Sequence, residues 1–174
     1  MSVVSATSYV DVNVSVAKQM IDSNPNLVIL DVRTRAECDS GHLKNATLIP
    51  VTELANRLGE LNKDKEILVY CMSGGRSVTA SQMLVDNGFS KVYNMLGGIT
   101  AWRNAGCWTE IAHNGDLVIN GTNTFNIENC IFLQRGNIFV RDSAKLLLKN
   151  SVLNIVKTME ASTELRSVAM PEQT

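Results

Sequence analysis

No stretch of this 174-residue chain comes near the roughly 20 consecutive apolar residues that a membrane-spanning helix needs. The N-terminus also lacks the basic start and apolar core of a secretory signal, so a cytoplasmic product with no membrane partner is expected. Charge of one sign is equally scarce. With 16 Lys and Arg against 17 Asp and Glu and no run of like charges, nucleic acid and anionic surfaces are excluded as expected partners. Cys38, Cys71, Cys107 and Cys130 form no Cys-x-x-Cys pair, and only His42 and His113 stand by to complete a metal site. Neither zinc nor a disulfide framework is expected from so thin a set. Matches to Asn-x-Ser/Thr at Asn13, Asn45 and Asn120 are at the level of chance. What is present is 45% apolar and 19% charged residues, the composition of a soluble globular chain with one full domain and a small appendix.

From about Tyr9 to Trp108, short apolar runs alternate with longer amphipathic stretches, which predicts an α/β domain with a mainly parallel sheet flanked by helices. Val28 to Val32 and Ile67 to Tyr70 read as buried strands, joined by Ala46 to Ile49, stopped at Pro50, and by Val92 to Asn94. Helices are expected at Val16 to Asp22 with Ser15 as cap, at Thr52 to Leu58, at Ser77 to Asn87 ended by Gly88, and at Thr100 to Asn104.

Between the strand Ile67 to Tyr70 and the helix that follows lies Cys71-Met72-Ser73-Gly74-Gly75-Arg76-Ser77. A strand feeding a tight loop feeding a helix aims backbone N–H groups at the loop's concave side, and the helix end adds about half a positive charge there. Cys71 at the mouth of such a ring is expected to have a depressed pKa and to serve as a nucleophile. Gly74 and Gly75 are expected to take positive φ, and Arg76 to supply permanent positive charge.

Beyond His113 helix signals vanish. Sliding the sequence by 21 positions aligns Leu117-Val118-Ile119 with Ile138-Phe139-Val140, and Ile127 to Phe132 with Leu148 to Leu153. Such a period of short strands is similar to the coils of a parallel β-helix, with Asn129 and Asn150 at equivalent turns. Two coils are fewer than the roughly three that bury a continuous core. The segment must therefore lean on the first domain, pair with another chain, or be a truncated remnant, and its free edge makes self-association through the C-terminal β segment an expectation. The division read here is residues 1–112, then a small all-β repeat at 113–156, then a flexible tail at 157–174.

Four signatures in chain order carry a family resemblance over about 100 residues: Leu30-Asp31-Val32-Arg33; Gly41-His42-Leu43 with Ala46 and Ile49-Pro50; Tyr70-Cys71 through Arg76-Ser77; and Gly97-Gly98-Ile99 with Ala101-Trp102. Together they resemble the rhodanese family of sulfurtransferases. The resemblance implies that Cys71 takes a sulfane sulfur from a small anionic donor, thiosulfate or polysulfide. It holds that sulfur as a persulfide and passes it to a thiol or cyanide-like acceptor without metal or organic cofactor. Met72, Ser73, Gly74, Gly75, Arg76 and Ser77 would bind the substrate, their amides spreading its charge. Asp31, Arg33 and His42 would support the site rather than react. Cysteine phosphatases sharing this kind of cradle insert one more residue between cysteine and arginine, so phosphatase or arsenate-reductase chemistry is the minor alternative.

Two positions depart from the family pattern. Met72 stands where thiosulfate-using members often carry a basic residue, and Cys38 where an aromatic residue is usual. Cys38 reads as a packing substitution rather than a second thiol at the site. Trp102 and Trp108 read as packing near the last helix, and Cys107 and Cys130 lack any cradle. A second functional class stays open: a sulfur-carrier, redox-sensing or partner-binding module in which Cys71 does not turn over.

Overall fold

The computed structural model describes residues 8–155; the tail expected to be flexible lies outside the described residues. Five strands, β1 (Val10–Val12), β2 (Val28–Asp31), β3 (Thr47–Leu48), β4 (Ile67–Tyr70) and β5 (Val92–Met95), form one parallel sheet in the order β1-β5-β4-β2-β3. The crossovers carry α1 (Val14–Ser23), α2 (Arg35–Asp39), α3 (Leu54–Arg57) followed by a single 3-10 turn at Leu58–Glu60, and α4 (Gly75–Asp86); α5 (Gly98–Asn104) follows β5.

Alternation along the strands builds two cores. Leu30, Ile67 and Val69 face one side with Leu54, Ala80, Leu84 and Phe89. Ile29, Leu68 and Tyr70 face the other with Ala17, Ile99 and Trp102. All four residues of β4 are buried, as a central parallel strand covered by helices on both faces must be.

Three local readings are corrected. Asn13, not Ser15, caps α1, its side-chain oxygen accepting from the Val16 amide at 3.0 Å. The short helix α2 was not expected, although Thr34-x-x-Glu37 is a capping box, in which the Thr34 and Glu37 side chains satisfy each other's free amides. Of the two loop glycines only Gly74 has positive φ, at 115°; Gly75 is the first residue of α4.

After α5 come seven strands: β6 (Thr109–Asn114), β7 (Leu117–Ile119), β8 (Thr124–Glu128), β9 (Cys130–Arg135), β10 (Ile138–Val140), β11 (Lys145–Lys149) and β12 (Val152–Ile155). They pair in parallel, β6 with β9, β7 with β10, β8 with β11 and β9 with β12. The register sets Leu117 opposite Ile138, Ile127 opposite Leu148 and Thr109 opposite Cys130, the same 21-residue offset at which Asn150 donates to Asn129 at 2.8 Å. Both asparagines adopt left-handed φ, at 50° and 46°, a conformation their short polar side chains tolerate. β6 runs across the 112/113 boundary read from the sequence. It ties the stack to the α/β region, because His42 and Glu110 exchange backbone hydrogen bonds of 2.9 and 2.7 Å.

Candidate active site

The sheet order reverses between β2 and β4, since the chain runs outward from β2 to β3 and returns to place β4 on β2's other side. Ligand crevices in open α/β sheets form at the carboxyl ends of such strand pairs. Asp31 ends β2, Tyr70 ends β4, and Cys71 is the next residue.

Cys71 is nearly inaccessible, at 1% exposure. The Gly74 amide points at its Sγ at 3.1 Å, and the Ser77 hydroxyl lies 3.6 Å away, donating to the Gly74 carbonyl at 2.9 Å. Burial pushes the Cys71 thiol up and is the largest single influence. The Ser77 side chain and the amides of Ser77, Gly74 and Ser73 together outweigh it, so the thiol sits below its ordinary pKa. The other three thiols go the opposite way. Burial, with the Asp31 carboxylate behind it, pushes Cys38 up to about 11, and burial raises Cys107 and Cys130.

The remaining loop residues are turned to other tasks. The Met72 carbonyl accepts from the Thr100 amide at 3.1 Å and its hydroxyl at 2.9 Å, while the Cys71 carbonyl accepts from the Ile99 amide at 2.9 Å. Gly98 makes this approach feasible: a Cβ there would stand 2.4 Å from the Cys71 carbonyl oxygen, and its φ is +55°. Arg76 faces neither sulfur nor solvent alone. Its Nη1 and Nη2 donate to the two Glu37 oxygens at 2.8 and 2.6 Å, a bidentate pair. Hydrogen bonds from Arg76, against the opposing effect of burial and with help from Thr34, hold the Glu37 carboxyl far below the usual range. Glu37 was missed as a site residue, and the signal that marks it is the capping box it forms with Thr34.

Asp31, Arg33 and His42 lie behind the strand ends. The Asp31 and Arg33 side chains are fully buried and paired, Nη2 to Oδ2 at 2.6 Å, and Tyr70 donates its hydroxyl to the same Oδ2 at 2.8 Å. Arg33 Nη2 also donates to the Gly41 carbonyl at 2.9 Å, and Leu43 N–H donates to the Tyr70 oxygen at 3.2 Å. His42 Nδ1 sits 3.1 Å from the Cys38 carbonyl. This network joins β2, β4 and the Gly41–Leu43 turn under the Cys71 loop, and a charged pair so enclosed demands that each partner stay bonded. Trp102 is buried and donates Nε1–H to the Trp108 carbonyl at 2.9 Å. Among the described residues no three His, Cys, Asp or Glu side chains converge as a metal site would require, and no helix is long and apolar enough to cross a membrane.

Comparison with known proteins places the α/β region in a family. The model of the rhodanese-like domain family matches residues 13–105. A protein of Bacillus subtilis provisionally named a sulfur carrier, YrkF, is 37% identical over 97 residues, 56% of this chain and 52% of that protein; the chain thus spans about half of that relative's length. A sulfurtransferase of Allochromatium vinosum is 34% identical over 92 residues, covering 53% of this chain and 85% of that protein. Among solved structures, a rhodanese-related protein from Thermoplasma volcanium superposes with a TM-score of 0.52 at 31% identity, over 56% of this chain and 94% of its own. The parallel sheet flanked by helices is therefore a rhodanese-like α/β fold carrying additional C-terminal strands, and the chain belongs to the rhodanese-like domain family.

Proposed function

We propose that this protein is a sulfurtransferase that works through a persulfide on Cys71. The observation that carries the reading is the contrast among its four cysteines. Cys71 alone has its pKa lowered, and it does so although nearly buried, because the amides and hydroxyl of its own loop favour the thiolate. In the first half-reaction the thiolate attacks the outer sulfur of the donor. A sulfur–sulfur bond forms to Cys71, the donor's own bond to that sulfur breaks, and sulfite or a shortened polysulfide leaves with the electron pair. In the second, a thiophilic acceptor such as cyanide or a thiolate attacks the terminal sulfur and Cys71 departs as thiolate. Ser73, Gly74 and Ser77 frame the transferred atom, their amides taking up its negative charge, while Met72, Gly75 and Arg76 complete the loop that holds them.

Charge selects the donor. Arg76 is neutralised by Glu37 at 2.6 Å, and Met72 adds no cation, so the mouth offers little attraction to the compact dianion of thiosulfate. A polysulfide or organic persulfide, whose charge is spread or borne farther from the attacked sulfur, suits the site better. The names of the relatives, a sulfurtransferase and a provisional sulfur carrier, support sulfur transfer without naming a donor. We read the C-terminal strands as β-helix-like coils, supported by their constant parallel register, and the protein as acting without metal or organic cofactor.

The test is thiocyanate formation from polysulfide or thiosulfate with cyanide. Wild type turns over, polysulfide giving the higher kcat/KM, and Cys71→Ala forms no thiocyanate and retains no sulfur by intact mass. Equal turnover by the alanine variant overturns the assignment; one retained sulfur without turnover assigns a carrier instead.

A further inference from the structure

Inward-facing positions of the C-terminal stack are covered by the layer that follows, until the stack stops. Ile119 is 4% exposed and its partner one layer on, Val140, 46%; Ile127 is 2% and Leu148 36%; Gln134 is 0% and Ile155 52%. Register and face are the same within each pair, so the difference is the missing cover. Three apolar side chains from three faces thus surround an open cross-section. Among the described residues β10, β11 and β12 each have a hydrogen-bonded neighbour on one side only, and edges of that kind are able to pair with another strand.

The residues that come next in the sequence do not fit as a further coil of the same register. Each layer turns at positions of positive φ: Gly115 and Gly136, Gly121 and Asp142, Asn129 and Asn150. One further step of 21 residues places Lys157, Thr163 and Pro171 at these turns. Proline holds φ near about −65° and cannot take the place of Asn150, and β-branched threonine is a poor left-handed residue.

We propose that the open end of the stack is the contact surface for a second copy of this chain, laid end to end about a twofold axis. A cover has to meet three strand edges and one apolar cross-section at once, and the surface with that outline on the page is the same end of another copy. The lysines of β11 fix the orientation. Pairing of that strand with itself about Leu147 would oppose Lys145 to the copy's Lys149, which is repulsive. Ile138–Val140 and Val152–Ile155 carry no charge, so the axis passes beside β10 or β12 and not beside β11. This inference does not rest on the sulfur chemistry.

Sedimentation velocity of the full chain across a concentration series tests it. A dimer is expected, and Ile155→Lys or Leu148→Lys, at positions already exposed in the single chain, each weakens it by about tenfold or more. Val10→Lys, on the free edge β1 of the other sheet and at a residue 54% exposed, leaves the dimer intact, and persulfide loading per chain is the same in all three. A monomer at every concentration overturns the proposal, as does a dimer broken by Val10→Lys but not by the two stack variants.

Discussion

In the α/β region the central strand β4 has no residue that is even partly exposed, whereas in the C-terminal stack the parallel strand β11 has four of five residues exposed. The strands are of one kind; their surroundings are not. Crossovers between β1 and β5 carry helices that lie on both faces of the sheet, so each strand's cover arrives with the connection. Connections within the stack are turns of a few residues, and cover there comes only from another layer. A helix-wrapped sheet can therefore have both faces covered at five strands, while a stack depends for its cover on whichever layer comes next.

Substitutions in the two regions separate their contributions, the largest effect coming from glycines pressed against backbone. Gly98→Ala drives a Cβ to 2.4 Å from the Cys71 carbonyl oxygen, and Gly136→Ala to 2.3 Å from that of Gly115. Each is expected to cost about 3 kcal/mol or more by urea unfolding. Gly98→Ala also abolishes thiocyanate formation, and Gly136→Ala leaves it within a small factor of wild type. Loss of activity in both would mean that the two regions are not separable.

Core truncations come next. Leu84→Ala, in the larger core under the sheet, is expected to lower stability by about 3 kcal/mol, and Ile127→Ala, in the small cluster with Cys130 and Phe132, by about 2 kcal/mol. Thermal unfolding followed at the tryptophans, which lie beside the α/β core, would register the first in full and the second weakly. The smallest effect is a titration. Ser77→Ala removes a hydroxyl that lowers the Cys71 pKa, so the midpoint of the alkylation rate moves to higher pH. The rate at neutral pH falls several-fold and is unchanged where the thiol is fully ionised.

How much of this was legible in the sequence varies with how local its cause is. The runs Val28 to Val32 and Ile67 to Tyr70 revealed their strands because burial on both faces demands unbroken apolar residues. β1, three residues at an edge with Val10 and Asp11 exposed, carries no such demand and was not foreseen. The Cys71 loop was readable because strand, glycine and helix are contiguous. The partner of Arg76 was not, since Glu37 lies 39 residues earlier and its position depends on how α2 packs. Likewise Thr109–Asn114 was not read as the first strand of the stack, because Trp108 and the preceding helix masked where one pattern ended and the next began.

The constant register has a hereditary consequence. Because every strand above β6, β7 and β8 meets its neighbour at one fixed offset, the gene can lengthen or shorten this part of the protein only in whole modules. A single-codon insertion within a layer would invert the inward and outward sides of the strands beyond it. It would also carry Asn150 away from Asn129. Lineages of such proteins should therefore differ by entire modules here, while tolerating ragged length changes in the connections around the rhodanese-like domain.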